Sequence, residues 1–349
     1  DRATMLPLRN ERKVHSRLTR RRMPMKYCGA ALGALLYVAL IVRTSWPLAL
    51  SAPDQAPERK EACHFLGSEQ LAARRDSLMV SFGGRAPRIG LVTFQRGMSP
   101  DLVELAEQNK QRYASEHGYE LIIADNEIVP DRPAAWSKFP IMLRHLPRFD
   151  YLVWLDADAL IANFTVTFEN LIDAEHDLWF AKDENSINSG VFVIRNSPWS
   201  KTWLETAWAQ TWLVQGRHPF KYEQRAIHYL FGTDQMLSHA ASLGIDPSPL
   251  MDEVRQRTSV VPDCVGLNTN ICEEFWCALV LWRRGPRPGW WCENQYHKGD
   301  FILHLAGKAP TFYRESLLRH FLETFNPSFF GQTGAAEPGA GELHALTYH

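Results

Sequence analysis

Several signatures that would assign a chemistry at once are missing from this chain of 349 residues. There is no GxGxxG fingerprint and no P-loop, so neither a dinucleotide nor a nucleoside triphosphate is favoured as ligand. Its six cysteines form no CxxC pair, which argues against a zinc site. No internal repeat is present. Positive charge is in excess only at the start: residues 1–26 carry nine Lys or Arg against Asp1 and Glu11, a net +7 in a chain whose total is -1. The remainder is therefore at -8, and a body of that sign is not built to bind nucleic acid. The composition itself, 45% apolar and 22% charged, is that of an ordinary globular protein.

Behind the basic block, "YCGAALGALLYVALIV" (27–42) has no charge before Arg43, and "WPLAL" extends the apolar stretch. Sixteen residues is short against the roughly 20 needed to span a bilayer, but thin membranes of the early secretory pathway accept short spans. The reading is a signal anchor over 27–48 with residues 1–26 as a cytosolic tail, by the positive-inside rule, and the body in the lumen. A signal peptide cleaved at the small residues of "ALSA" and a buried core helix are the alternatives. Residues 49–86 mix Pro, Gly and charge around one short helical patch and read as a stem; 329–349 has little to bury and reads as a disordered tail. A lumenal body suits one or two disulfides, with Cys264, Cys272, Cys277 and Cys292 crowded together. "NFT" at Asn163 is a glycan acceptor sequence placed at a residue that needs an exposed loop to be used.

The globular part, 87–328, opens with a strand, "RIGLVTFQ". A helix follows in "SPDLVELAEQNKQRYASEHG", capped at Ser99 and stopped at Gly118, then a strand "YELIIAD", a helix "AWSKFPIMLRHL" and a strand "YLVWLDAD". This β-α-β-α-β order predicts a parallel, doubly wound beginning to the sheet. Strands "DLWFAKD", "INSGVFVIRNS" and "FILHLAG" and helices "PWSKTWLETAWAQTWL" and "YEQRAIHYLF" complete it.

Strand "YLVWL" is apolar throughout, as a strand buried on both faces is, and it ends in Asp156 and Asp158. Ligands of parallel sheets bind outside the carboxyl ends of strands. Two carboxylates one residue apart can turn to one hard divalent cation and bridge it to a diphosphate. A solvated acidic turn is one alternative. An aspartyl phosphatase is another, but it wants the motif on its first strand and a second acid downstream, which "KGDFILH" lacks.

Taken in order, "AAWSKFPIMLRHLPRFDYLVWLDADALI", "KDENSINSGVFVIRNSPWS", "YEQRAIHYL" and "FILHLAGK" resemble the galactosyl- and mannosyltransferases of glycosyltransferase family 34, over about 88–325. The resemblance implies an α/β fold of the glycosyltransferase-A type with a mixed central sheet behind a transmembrane helix. It also implies a Golgi membrane anchor, a nucleotide-diphosphate sugar donor (UDP foremost, GDP as alternative), Mn²⁺ with Mg²⁺ as alternative, and retention of anomeric configuration. The acceptor would be a glycan hydroxyl, and association with itself or with other glycosyltransferases is open. By resemblance Asp156, Asp158 and His304 are metal ligands, and Lys308 offers charge to the leaving diphosphate. Asp183, Asn185 and Asn188 bind sugar hydroxyls beside Gly190, where the backbone can come close. Gln224 lies beside the anomeric carbon, Glu223 orients the acceptor or stabilises an oxocarbenium-like state, and Lys138 touches the nucleotide side. The aromatic-rich 274–297 is either a stacking platform for sugars or packing. A lumenal lectin-like partner that keeps the fold without turnover is the second functional reading.

Overall fold

The computed structural model describes residues 67–96, 98–183, 186–214, 222–270, 296–305 and 318–321, together with Cys63 and Phe65. Among these no helix is long and apolar enough to cross a membrane. The segment 1–48, residues 271–295, the tail 329–349, Asn185 and Lys308 lie outside the described residues. In chain order the elements are α1 Ser68–Ser81, β1 Ile89–Thr93, α2 Pro100–His117, β2 Glu120–Ile123, α3 Lys138–His145, β3 Tyr151–Leu155, β4 Ala159–Ile161, β5 Leu178–Asp183, β6 Ser186–Arg195, α4 Pro198–Trp208, α5 Gln224–Phe231, α6 Asp234–Ser242, α7 Met251–Gln256, β7 Thr258–Val260 and β8 Ile302–His304.

The main sheet has the order β2-β1-β3-β6-β5-β7. Strands β2, β1 and β3 run parallel, β6 runs antiparallel to both β3 and β5, and β7 is parallel to β5. The parallel beginning read from the sequence is present, and the sheet as a whole is mixed. Because β2 and β3 lie on opposite sides of β1, the carboxyl ends of β1 and β3 flank a topological switch point, the usual place for a ligand.

Every residue of β1 and β3 is buried, as their unbroken apolar runs require. Alternate side chains of β3 feed two cores: Leu152 and Trp154 pack with Phe139 and Met142 of α3 on one face, while Tyr151, Val153 and Leu155 pack with Tyr113 and Ala114 of α2 on the other. Helix α2 starts behind Ser99, in extended backbone, with Pro100 as first helical residue, and ends at Gly118, whose φ of 72° is the left-handed stop glycine allows at least cost.

Two irregularities build the site. Between Phe180 and Ala181 the β5–β6 register jumps from Phe192 to Asn188, so Ser189, Gly190 and Val191 have no partner on β5. They are free to serve the end of β3, where Leu155 pairs with Val191. A separate ribbon pairs β4 with β8 and sets His304 opposite Ala159, one residue beyond Asp158.

In the stretch read as a stem, α1 buries Leu78, and Arg74 donates to the Asn170 carbonyl at 2.8 Å while its guanidinium lies 3.6 Å over Phe65. A disulfide joins Cys63 to Cys264 across 201 residues. The partner of Cys264 thus comes from far upstream and not from the crowded cysteines after it, of which Cys272, Cys277 and Cys292 lie outside the described residues. Closing a loop of that length stabilises the fold by roughly 5 kcal/mol if chain entropy is the whole effect.

Candidate active site

Beyond Leu155 the chain leaves the sheet. Asp156 N–H donates to the Gly190 carbonyl at 2.8 Å, and Ala159 N–H donates back to the Asp156 carbonyl at 3.1 Å, so the backbone turns within three residues. This turn brings both carboxylates to one side, against the ribbon that carries His304. Each of Asp156, Asp158 and His304 offers a ligand atom within 4.8 Å of the other two. His304 Nε2 lies 3.6 Å from Asp156 Oδ2 and 3.3 Å from Asp158 Oδ1.

The imidazole is oriented from behind. Buried Asn268 faces His304 Nδ1 with its Oδ1 at 2.7 Å; with the amide oxygen accepting Nδ1–H, Nε2 is the nitrogen turned to the carboxylates. Burial lowers the pKa of His304, but the hydrogen bond and charge of Asp158 and the charge of Asp156 outweigh it, and the net shift is upward. Gly190 makes room for the ring: a Cβ there would stand 2.0 Å from His304 Cε1 and 2.4 Å from Nδ1. The close approach expected at Gly190 therefore exists within the protein, with the His304 ring as the neighbour. Two carboxylates and an imidazole nitrogen within 4.8 Å of one another are a donor set that fits a divalent cation.

Beneath Asp156 lies a second polar layer. Trp154 Nε1–H donates to Asp156 Oδ1 at 2.6 Å. Lys138, only 1% exposed, places Nζ 3.2 Å from Asp156 Oδ1, 2.5 Å from Glu223 Oε1 and 2.7 Å from the Ser189 carbonyl. Its three donors are all directed inward, so the structure has a buried cation where the sequence suggested a contact with the nucleotide. Burial would lower this lysine, yet Asp156 and Glu223 together hold it raised. Glu223 is also buried; Ser189 Oγ lies 2.8 Å from Glu223 Oε1 and 3.2 Å from Gln224 Oε1, and Ser189 N–H donates to the latter at 3.3 Å. Where the sequence suggested a group facing the acceptor, the described residues show Glu223 buried against Lys138 and Ser189. Gln224, half-buried, is the member of that pair nearer the surface.

Asp183 and Asn188, read as contacts to sugar hydroxyls, bond each other in this structure: Asn188 Nδ2 donates to Asp183 Oδ2 at 2.6 Å and its Oδ1 accepts Gly190 N–H at 2.7 Å. Asn188 is buried and shapes the bulge; Asp183, at the hairpin end of β5, is half-buried. The fold thus gathers Asp156, Asp158, His304, Lys138, Glu223, Gln224 and Gly190 about one point. Sequence reasoning passed over Asn268, Ser189 and Trp154. The quoted "INSG" did contain Ser189; nothing in "GLNTN" marks Asn268 as the partner of a histidine 36 residues later.

A mixed α/β sheet with a carboxylate pair at the end of a central strand, met by a histidine from a late one, defines a class that the comparisons with known proteins make specific. The chain belongs to the galactosyl transferase GMA12/MNN10 family, which it matches over residues 91–178 and 169–311. It is 28% identical over 165 residues to an uncharacterized alpha-1,2-galactosyltransferase of Schizosaccharomyces pombe, covering 36% of this chain and 44% of that protein. With galactomannan galactosyltransferase 1 of Cyamopsis tetragonoloba it shares 24% over 197 residues, covering 47% of this chain and 42% of that one. The chain therefore spans less than half the length of these relatives. Among solved structures, a glycosyltransferase involved in glycosylation of the major capsid of PBCV-1 superposes with a TM-score of 0.45 at 15% identity, covering 67% of this chain and 99% of that one.

Proposed function

We propose that this chain is a metal-dependent, retaining glycosyltransferase of the glycosyltransferase-A type, which moves a sugar, galactose foremost, from a UDP-sugar to a glycan hydroxyl. The observation that carries this reading is the convergence of Asp156, Asp158 and His304, two of them on a strand end and the third from a strand nearly 150 residues later. Family membership and the names of its relatives support the sugar and the reaction class.

Asp156, Asp158 and His304 would hold Mn²⁺, or Mg²⁺, which offsets the negative charge of the donor diphosphate when bound. Lys138 fixes Asp156 in direction, and Asn268 keeps the His304 nitrogen facing inward. Lys308 adds a positive charge for the departing diphosphate, and Asp183 and Asn185 take sugar hydroxyls. Glu223, tied to Lys138, is not free to form a covalent bond to the sugar, which favours attack from the face the diphosphate leaves. In that step the acceptor oxygen bonds to the anomeric carbon as its bond to the diphosphate oxygen breaks, and the hydroxyl proton passes to the leaving diphosphate. With its oxygen tied to Ser189, Gln224 has its NH₂ group to offer beside the anomeric carbon. The anchor over 27–48 would hold the enzyme in the Golgi membrane with this domain in the lumen.

The test is nucleotide release by the purified full-length chain with Mn²⁺, a panel of UDP- and GDP-sugars, and oligosaccharide acceptors. Release from one donor is expected, lost with chelator and in Asp158→Ala. Full activity of Asp158→Ala would overturn the metal assignment, and donor binding without any turnover would make the chain a non-catalytic partner of another transferase.

A further inference from the structure

Helix α2 presents a line of polar side chains to the main chain that follows the carboxylates. Asn109 binds both main-chain groups of Ile161, donating to its carbonyl at 3.0 Å and accepting its N–H at 2.9 Å. Tyr113 donates to the Val166 carbonyl at 2.8 Å, and His117 Nε2 lies 2.8 Å from the Phe164 carbonyl. These three recur every four residues and form one stripe. The residue beside the stripe, Lys110, reaches further back: its Nζ donates to the Ala157 carbonyl at 2.9 Å.

Lys110 has no exposed surface, and nothing in the proposed reaction uses it. A carbonyl can be satisfied by a neutral donor, so an ammonium here is an expensive choice. Its burial lowers its pKa to about 8, against the charges of Asp158, Asp156 and Glu107, which pull upward. The position explains the choice. Ala157 is the middle residue of Asp156-Ala157-Asp158, and its carbonyl shares a rigid peptide plane with the N–H of Asp158. Anchoring the oxygen fixes that plane, and with it the direction in which Asp158 leaves the chain.

We propose that Lys110 is a positioning residue of the candidate metal site: by pinning the Ala157 carbonyl it presets the carboxylate pair for a divalent cation, a role that rests on the metal-site reading above. The sign of the effect separates this from simple electrostatics. Lys110 is a positive charge near a cation site, so its removal by Coulomb's law alone would tighten cation binding. Loss of positioning would weaken it.

The experiment titrates Mn²⁺, with and without UDP, into the full-length chain and follows free Mn²⁺ by electron paramagnetic resonance. Lys110→Met, with native circular dichroism, should bind Mn²⁺ roughly tenfold to a hundredfold more weakly, as loss of an outer-shell support does. Lys110→Arg, which keeps a charged donor, should recover most of the loss. If Lys110→Met does not fold, Lys110→Gln takes its place in the same titration. Binding as tight as, or tighter than, wild type in the neutral variant overturns the positioning role while Asp158→Ala still loses the metal. If the wild type itself takes up no Mn²⁺ under either condition, or Asp158→Ala binds like wild type, the metal site falls, and the role of Lys110 with it.

Discussion

Lys138 and Lys110 reach the same turn from opposite faces of the sheet, both are buried, and their charges are held in opposite ways. Lys138, on the α3 face, finds two carboxylates and a carbonyl and is shifted up. Lys110, on the α2 face, finds one carbonyl and is pushed down to about 8. The desolvation is alike, so the partners decide the outcome: ionised acceptors at 2.5 and 3.2 Å restore what burial removes, and a peptide dipole does not. One side of the site is a compensated ion network. The other carries a cation whose charge is held at a cost.

That contrast is broken most directly by removing Lys138. Lys138→Met leaves Glu223 buried beside Ser189 with its counter-charge gone, and breaking a buried pair from one side costs about 3–5 kcal/mol. Thermal or urea unfolding should register a loss of that size. Lys138→Met with Glu223→Gln should recover most of it, because no buried charge then stands alone. A cost under about 1 kcal/mol for the single variant would mean that water or a shifted side chain replaces Lys138 easily, and the two lysines would then be alike.

How much of this could be read from the sequence follows the same division. The β-α-β-α-β order, the ends of α2 at Ser99 and Gly118, and the placing of Asp156 and Asp158 after a buried strand were legible, because apolar runs and stop residues are local signals. His304 was legible only by resemblance, since what brings it to Asp158 is the pairing of β4 with β8, a contact between distant segments. The two lysines show the limit. Lys138 stands between "AWS" and "FPIM", where an apolar neighbourhood hints at burial; Lys110 stands in "EQNKQR", whose polarity hides a residue with no exposed surface. The pairing of Cys63 with Cys264 and the hold of Asn268 on His304 have no sequence spacing to announce them.

A second effect sharpens the contrast through pH. A lysine whose pKa is about 8 when folded and near 10.5 when unfolded binds fewer protons in the folded state between those values. Stability therefore rises with pH across that window, and the gain is lost as pH falls back through about 8. The displacement corresponds to at most on the order of 3 kcal/mol. Urea unfolding at pH 8 and pH 10 should show the wild type gaining stability relative to Lys110→Met. Buried tyrosines that also respond at high pH, such as Tyr151, cancel in that difference. Parallel behaviour of the two proteins would mean that Lys110 is as well compensated as Lys138.

The smallest effect asks whether the two lysines act together. Each lies close to the carboxylates of the same turn, Lys138 by direct contact with Asp156 and Lys110 through Ala157 between the pair. If both offset the mutual repulsion of Asp156 and Asp158, removing one should make the other matter more. A double-mutant cycle of Lys110→Met and Lys138→Met, made with Glu223→Gln so that no buried glutamate is orphaned, should give a coupling of roughly 0.5 kcal/mol or more, the double variant being worse than the sum. The coupling should disappear when Asp158→Asn abolishes that repulsion, and it should shrink under saturating Mn²⁺, whose charge takes over the compensation. Additivity within about 0.3 kcal/mol would instead confine each lysine to its own acceptor. The opposite shifts would then reflect two unrelated local environments, and the carboxylates would owe their shared direction to the turn, His304 and Trp154.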